Sequence, residues 1–247
     1  MIKGGFPKIW AEADTDLQLW YSSYLVTYLE RDIRNILKIG QLRDFERFLR
    51  SIAIRTGQIL SYSDLARDIG MAVSTARAWV SVLQASGQVY ILEPYYKNLG
   101  KRISKTPKIY FTDIGLALYL CGIENENQLL KSPLLGAFYE TFVICEILKA
   151  LYSSGKSVKL WFWRNQAGKE VDVVIERGGM YYLFEIKFNQ NPSDKDLSGM
   201  KSFENLYGEE NVKKKTVLCR TENDFFENTK MLFTNILRCN FVELTDT

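Results

Sequence analysis

The chain has 247 residues, 47% of them hydrophobic and 25% charged, which is typical of a water-soluble globular protein with one or two cores; its net charge of +3 is too small to predict nucleic-acid binding by itself. It contains no histidine and no C-x-x-C pair, which excludes Ser-His-Asp and Cys-His hydrolysis and most zinc sites and predicts that the four cysteines are buried free thiols. No apolar run approaches the ~18 residues of a membrane span and no signal peptide is recognisable, which predicts a cytoplasmic protein without membrane contact.

Residues 1–42 are predicted to form a helical lead-in. A Gly-Gly-Phe-Pro turn precedes a helix that begins with the capping pattern Thr15-x-x-Gln18 and ends at Gly40. Apolar and aromatic side chains recur along this helix at helical spacing. They form either part of the core or an interface for another domain.

Residues 43–120 are predicted to form a winged helix-turn-helix module. Ser74 is expected to cap the third helix, and Gly70 and Gly87 are expected to end the second and third. Two strands then flank a short turn, and this order of elements is typical of winged helices. The predicted helices cover residues 45–52, 62–69 and 74–83, and the strands cover residues 88–96 and 108–112.

The predicted winged helix is basic. Over residues 43–112, eleven basic side chains stand against five acidic ones, and several of them surround the predicted wing turn at residues 98–100. Such a surface is suited to contacts with DNA phosphates. The alternative is a rigid spacer or a protein interface. The residues predicted here to contact nucleic acid are Arg77, Lys97, Lys101, Arg102 and Lys105.

Residues 131–247 are predicted to form a second module. Asp113 caps a short helix that ends at Leu120, and the polar residues 121–131 connect that helix to the module. Alternating helical and strand patterns follow, which predicts an α/β sandwich. The predicted helices cover residues 133–152, 194–207 and 223–235, and the predicted strands cover residues 158–164, 170–176, 181–188 and 215–219.

The strands over 170–176 and 181–188 flank Gly178-Gly179, which supplies the two positive φ angles of a two-residue hairpin turn. This turn pairs residues whose numbers sum to 357. Asp172 then faces Glu185, and Glu170 faces Lys187. The other face is apolar along its length, which supports the same register, and consists of Val171, Val173, Ile175, Tyr182, Phe184, Ile186 and Phe188.

The four charged residues predict a metal-assisted site. Opposed carboxylates cost roughly 0.2 to 1 kcal/mol, and Mg²⁺ or Mn²⁺ would compensate them while keeping water ligands. Lys187 could orient or deprotonate an attacking water and offset charge on a phosphate. Arg164 either contacts the scissile phosphate or pairs with Glu170. The alternative is a solvent-exposed charged face in which Lys187 neutralises its acidic neighbours.

At these residues the chain resembles the PD-(D/E)XK nuclease superfamily, through Asp172 on one strand and Glu185-Ile186-Lys187 on the next. The resemblance implies that these three residues are catalytic and that Asp172 and Glu185 bind metal. A glutamate from the preceding helix often joins them, and Glu140 is the matching residue. Its apolar flanks predict that Glu140 points inward, whereas Glu146 on the same helix is expected at the surface.

Over nearly its whole length the chain is similar to the carboxy-terminal region of a prokaryotic AAA-type ATPase family with a winged helix and a restriction-endonuclease-like module. The matching stretches are residues 4–7, 28–33, 107–115, 162–164 and 170–172. The resemblance implies an α+β protein: a helical winged module, then an α/β restriction-endonuclease-like sandwich with a mixed sheet. No G-x-x-x-x-G-K-[ST] motif is present, so ATPase activity is not expected from this chain and a P-loop ATPase domain or partner is implied.

The leading hypothesis is a DNA-associated protein with a metal-dependent phosphodiesterase site. It would be the part of an AAA-type ATPase that lies outside the ATPase domain. The first alternative is a catalytically inactive nuclease-like module that binds DNA or protein and regulates such an ATPase. The second is a purely structural interaction module. Fold resemblance by itself does not choose among them.

Overall fold

The computed structural model describes residues 1–28, 31, 42–97, 106–155, 158–193, 196–228, 231–237 and 239. The chain divides into two units, which are described separately below. Unit 1 comprises Met1–Ile91 and Lys108–Phe142, and unit 2 comprises Leu92–Pro107 and Val143–Thr247. Several predicted features lie outside the described residues, namely the helix stop at Gly40, the turn at 98–100, the helix start at 194, and Lys101, Arg102 and Lys105.

Unit 1 is mainly helical. Three helices pack around an aromatic centre in which the Trp79 ring lies 5.1 Å from that of Phe45 and 5.2 Å from that of Phe48, both edge-on.

No helix in the described part of the chain is long and apolar enough to cross a membrane. The helices are α1 (Pro7–Ala11), α2 (Leu17–Thr27), α3 (Leu42–Ile54), α4 (Tyr62–Ile69), α5 (Val73–Ala85), α6 (Ile114–Leu120), α7 (Glu126–Lys131) and α8 (Leu135–Ser153), of which α8 continues into unit 2.

The strands of unit 1 are short. β1 (Gln58–Ile59) pairs antiparallel with β3 (Lys108–Phe111). β2 (Val89–Pro94) begins in unit 1 and ends in unit 2. The predicted order of three helices followed by two strands is therefore observed, with β1 added between the first two helices.

Some of the predicted helix caps of unit 1 are observed and others are not. Gly70 ends α4 in the left-handed conformation, with φ of +80°, as expected. Thr15 does not cap α2, because the Asp16 carboxylate accepts the Leu19 N–H at 3.0 Å. Ser74 does not cap α5, which starts one residue earlier without a side-chain cap. The predicted polar connection over 121–131 contains a further helix, α7.

Asp113 ties three segments of unit 1 together. Its carboxylate accepts the N–H of Leu116 at 2.7 Å, which caps α6 as predicted, and the N–H of Gly5 at 2.6 Å. The Tyr21 hydroxyl of α2 donates to it at 3.0 Å. A Cβ atom at Gly4 would lie 2.3 Å from the Tyr21 hydroxyl oxygen, so this close approach requires glycine.

Unit 2 contains a mixed sheet, which agrees with the predicted α+β class. Its strands, in the order in which they lie side by side, are β2 (through Leu92–Pro94), β4 (Trp161–Arg164), β5 (Glu170–Arg177), β6 (Met180–Ile186), β7 (Val212–Leu218), β9 (Met231–Thr234) and β8 (Phe225–Asn228). β6, β7 and β9 run parallel to one another, whereas β4, β5 and β6 are antiparallel neighbours. Helix α9 (Ser198–Tyr207) and a 3-10 turn (Glu209–Asn211) lie between β6 and β7 along the chain.

The predicted final helix over 223–235 is wrong. Two antiparallel strands, β8 and β9, occupy this part of the chain. Met231, Leu232 and Phe233 form a short apolar run, and periodicity cannot distinguish a buried strand from a buried helix in so short a run. β9 lies parallel to β7 with all three side chains buried, which is the environment that such runs favour.

Helix α9 packs directly on the start of β5. An added Cβ atom at Gly199 would lie 1.6 Å from the Glu170 carbonyl oxygen, so the two backbones touch. Met200 and Phe203 of α9 are fully buried in the adjoining core cluster. A nearly buried ion pair of 2.8 Å between Glu204 of α9 and Lys215 of β7 adds a second attachment to the sheet.

Asp113→Ala is expected to lower the free energy of unfolding by about 3 kcal/mol, because it removes a helix cap together with two further hydrogen bonds to a carboxylate. Urea unfolding followed by circular dichroism measures the change. Asp16→Ala is the matched control, since Asp16 caps α2 through a single exposed hydrogen bond, and should cost about 1 kcal/mol. Equal losses in the two variants would contradict the proposed role of Asp113.

Gly199→Ala is expected to lower the free energy of unfolding by more than about 2 kcal/mol, because α9 must move away from β5 to accommodate the methyl group. Gly136→Ala in α8 serves as control, since a Cβ atom there meets nothing within 4 Å and should leave stability unchanged or raise it by up to about 1 kcal/mol. The same unfolding measurement compares them, and a stable Gly199→Ala protein would show that the close approach is unimportant.

Candidate functional site

The hairpin of β5 and β6 has the predicted register. Its pairs run from Arg177 and Met180 at the turn to Val173 and Phe184, and every pair sums to 357. Gly178 and Gly179 have φ angles of +59° and +78°, as a two-residue primed turn requires. The turn chemistry and the apolar pattern therefore predicted the hairpin correctly.

A bulge in β5 changes which side chains share a face. Trp161 of β4 pairs with Val174, but Trp163 pairs with Val171, so two steps along β4 correspond to three along β5. Val171 consequently packs in the same cluster as Val174, and the prediction that it lies beside Val173 is wrong. The bulge falls at Asp172 and Val173. Bulges re-aim side chains and recur next to active sites.

Both faces of the hairpin are covered. Val174, Tyr181 and Leu183 pack against Met200 and Phe203 of α9, on the face where the sequence predicted the acids. Asp172 and Glu185 are only 5% and 4% exposed. The alternative of a solvent-exposed charged face therefore does not describe these two residues.

Asp172, Glu185 and Lys187 lie where the backbone pairing of β5 and β6 ends. The Asp172 Oδ2 atom accepts the backbone N–H of Ile186 at 2.8 Å. The Lys187 Nζ atom donates to Glu185 Oε1 at 2.7 Å, and the Lys187 side chain is 28% exposed. Asp172 and Glu185 are thus two buried carboxylates on neighbouring strands, and Glu185 is paired with a partly exposed ammonium group.

Glu170 has a partner on β4. It pairs in register with Arg164 of β4, and their side chains form an ion pair of 3.8 Å. Arg164 is 48% exposed, so this ion pair adds little stability. Of the two roles predicted for Arg164, pairing with Glu170 is the one observed, and its exposure leaves it accessible to a phosphate.

Asp172 and Glu185 have carboxylate oxygens, the type of donor that a hard divalent cation prefers. Within the described ranges, no three His, Cys, Asp or Glu side chains lie close enough together to hold one ion. Asp172 and Glu185 would supply two carboxylate ligands. Mg²⁺ commonly binds one or two carboxylates and completes its coordination with water and substrate phosphate, so two carboxylates are a sufficient protein contribution.

Glu140, the predicted third ligand, belongs to unit 1 and has partners there. Its Oε1 atom accepts from Lys108 Nζ at 2.8 Å and from the Tyr110 hydroxyl at 2.5 Å. Its side chain is 16% exposed, against 32% for Glu146, so Glu140 is the less exposed of the two glutamates and both are only partly buried. Its role as a metal ligand stays a prediction.

The predicted nucleic-acid contacts are exposed where they are described. Arg77 is exposed, with its guanidinium 4.3 Å from the centroid of the Tyr62 ring, so a cation–π contact between α4 and α5 holds it. Lys97 is also exposed. Both are placed to meet solvent or a ligand.

Asp196 is a neighbour of the site that the sequence analysis missed. Its Oδ2 atom accepts two hydrogen bonds of 2.8 Å, from the backbone N–H and the hydroxyl of Ser193. These bonds lower the pKa of Asp196, and the charge of Lys187 lowers it further by a smaller amount. The Ser193-x-x-Asp196 spacing resembles a capping box and could have revealed the turn.

Comparisons with known proteins give two family matches. The model described as Domain of unknown function (DUF8612) matches residues 1–127, slightly more than half of the chain. The model described as Domain of unknown function (DUF4143) matches residues 135–238, and that family is found in AAA-ATPase-associated proteins.

Two curated proteins, each named as uncharacterized, are similar to this chain. One is from Mycobacterium tuberculosis and one from Mycobacterium bovis, and each is 36% identical over 193 residues. The match covers 78% of this chain but 43% of each relative, so the chain spans less than half the length of these relatives. Among solved structures, the assembly of Thermococcus gammatolerans McrB AAA+ hexamers with bound McrC matches 83% of this chain and 77% of that chain at 11% identity and a TM-score of 0.29, which does not establish a shared fold.

Glu140→Gln is expected to lower the free energy of unfolding by about 3 kcal/mol, because it leaves the buried Lys108 ammonium without its charged partner. Glu146→Gln is the control on the same helix, since its ion pair with Lys149 is half exposed and should contribute less than about 0.5 kcal/mol. Urea unfolding measures both, and equal values would contradict a structural role for the Glu140 pair.

Proposed function

The chain belongs to the family described as Domain of unknown function (DUF8612). From the side chains of unit 2 we propose that it is a metal-dependent phosphodiesterase that acts on nucleic acid, with DNA favoured. In this proposal unit 2 is a restriction-endonuclease-like module and works with an AAA-type ATPase, as another part of a longer chain or as a separate partner. The DUF4143 match supports the ATPase association. The catalytic part depends on the buried carboxylates of Asp172 and Glu185.

Burial of these two carboxylates costs free energy of hydration. Because the fold retains them in spite of this cost, a functional role is favoured. A carboxylate loses several kcal/mol of hydration in a protein interior unless charge or hydrogen bonds compensate it. A hydrophobic pair would fill the same positions of the sheet without that cost. Ionisable groups kept in a buried cluster beside a partly exposed amine are candidates for catalysis.

Each residue has a distinct role in the proposed reaction. Asp172 and Glu185 hold Mg²⁺ or Mn²⁺, which when bound supplies a Lewis acid for phosphate and lowers the pKa of water. Lys187 orients the attacking water and offsets charge that develops on the phosphate. Arg164 contacts the substrate backbone, since its side chain is 48% exposed.

Unit 1 contributes nucleic-acid binding in this proposal. The helices α4 and α5 with the strands β2 and β3 are arranged along the chain as a winged helix, with α5 as the helix that contacts the duplex. Arg77 on α5 of unit 1 is an exposed cation suited to phosphate contacts, and so is Lys97, which follows β2 and belongs to unit 2. Because few polar side chains of α5 could read bases, binding is expected to depend on salt more than on sequence.

A second candidate function is a nuclease-like module that binds without cutting. One observation favours it: protein donors already contact both carboxylates, through the Ile186 N–H and the Lys187 ammonium. The cluster can therefore exist without a cation. In this case unit 2 would bind nucleic acid or regulate the ATPase, and the buried charges would be structural.

Asp172→Asn and Lys187→Met are expected to separate the two functions. Asn can still accept the Ile186 N–H but lacks the charge that a cation requires, so Mn²⁺ affinity measured by calorimetry should fall at least about tenfold. Cleavage of plasmid, branched and single-stranded DNA in Mg²⁺ or Mn²⁺ should fall about 10²- to 10⁴-fold in Lys187→Met, and EDTA should abolish cleavage by the native protein.

Glu176→Gln is the matched control, because Glu176 is an exposed carboxylate at the other end of β5 and should affect neither measurement. Circular dichroism confirms that each variant is folded. Absence of cleavage by the native protein with every DNA form and both ions, together with unchanged Mn²⁺ affinity in Asp172→Asn, would overturn the catalytic proposal and leave the binding module.

A further inference from the structure

A polar crevice lies beyond the carboxyl ends of β6 and β7, next to the proposed catalytic site. The loops that follow these strands run side by side, because the Lys187 N–H donates to the Leu218 carbonyl at 3.0 Å and the Arg220 N–H donates to the Asn189 carbonyl at 3.2 Å. The carboxyl ends of parallel strands are a common location for ligands in α/β sheets. The crevice has a volume of about 400 Å³ and is lined by Gln190, Asn191, Thr221, Glu222, Asn223 and Phe225.

The lining favours a flat, neutral, polar ligand. Gln190, Asn191 and Asn223 each offer an amide that can donate and accept hydrogen bonds, as the edge of a nucleobase requires. The Phe225 ring is 42% exposed and lies parallel to the Phe233 ring, at 4.5 Å between centroids and 8° between planes, so it is held in a fixed plane. A fixed exposed ring is a suitable surface for base stacking.

The charges in and around the crevice suit a base inside it and phosphates beside it. The lining contains the acidic Glu222 and neither lysine nor arginine, so it disfavours an anion. Cations lie beside it instead. The exposed Arg220 stacks its guanidinium 4.4 Å from the centroid of the Phe188 ring, and Lys187 precedes that ring in the chain. A base in the crevice would leave its phosphates near cations, which matches the charge pattern of a nucleic-acid strand.

We propose that this crevice binds an unpaired nucleobase of single-stranded nucleic acid. The inference rests on the proposed function, since it gives the strand that Lys187 and the carboxylates would act on, and it names the substrate class as single-stranded or locally unpaired. A base inside a duplex is stacked and paired, and only an unpaired base can enter such a crevice.

The test is binding without cleavage. Fluorescence anisotropy in EDTA compares a labelled twelve-nucleotide oligothymidylate, an abasic strand of the same length and a duplex of the same length. The native protein should bind the oligothymidylate on the order of tenfold more tightly than the abasic strand, because stacking of one base supplies about that factor. Equal affinity for the oligothymidylate and the abasic strand would overturn the proposal.

Variants locate the effect in the crevice. Phe225→Leu keeps an apolar side chain against Phe233 but removes the ring, and should abolish the preference for the base-containing strand. Phe226→Leu is the matched control, since Phe226 neighbours Phe225 on β8, is 65% exposed and does not line the crevice. Asn191→Ala should weaken the preference for the base-containing strand. Because Asn191 is at an exposed loop position, this variant should not disturb the packing of the strands. The base would bind elsewhere if Phe226→Leu lost as much of the preference for the base-containing strand as Phe225→Leu. The same would follow if neither Phe225→Leu nor Asn191→Ala lost any of it.

Two further arms separate this inference from others. Asp172→Asn should keep the full base preference in EDTA, so failure of cleavage and failure of base binding are independent results. Base-dependent binding that persists in a protein unable to cut would support the crevice. Competition by thymidine monophosphate as strong as by the oligothymidylate would show a mononucleotide site and overturn the assignment to a strand.

Discussion

The hydrogen bond from the Ile186 backbone N–H to the Asp172 carboxylate is the contact on which the arrangement of unit 2 depends. Backbone pairs join β5 to β6 as far as Val173 and Phe184, and the bulge in β5 disturbs the spacing just beyond them. A buried N–H needs an acceptor, and here a side chain supplies it where the strand pairing stops. β6 can therefore continue to Glu185 and Ile186, which pair with β7.

The same contact explains how two acids can remain in the interior. One oxygen of Asp172 is stabilised by a backbone donor, and one oxygen of Glu185 is stabilised by the Lys187 ammonium. In a region of low dielectric these contacts are stronger than at the surface, and the donors are already in place before any ligand arrives. A cation would have to compete with Lys187 for Glu185. Release of the lysine on metal binding would leave its amine available for water or phosphate.

The hairpin could be predicted because its determinants are local. Gly178-Gly179 specifies the turn, and the apolar pattern of the strands permits one register. The bulge and the covering of both faces could not be predicted, because they depend on β4 and on α9, which are distant in sequence. Asp113 was recognisable as a helix cap, but its bonds to Gly5 and Tyr21 required the tertiary structure. β8 and β9 were missed because their short apolar runs carry no distinctive period.

The mixed sheet is the topological condition for the proposed site. β5 runs antiparallel to β6, so the start of β5 lies at the same edge of the sheet as the end of β6. Asp172, near the start of one strand, and Glu185, near the end of the next, are therefore brought to one edge; in a purely parallel sheet they would lie at opposite edges. β7 and β9 continue parallel from β6, so their carboxyl ends add loops at this edge. The antiparallel pairing of β5 and β6 thus brings the two acids to one edge, and the parallel pairing of β6 with β7 brings the loops that line the crevice to the same edge.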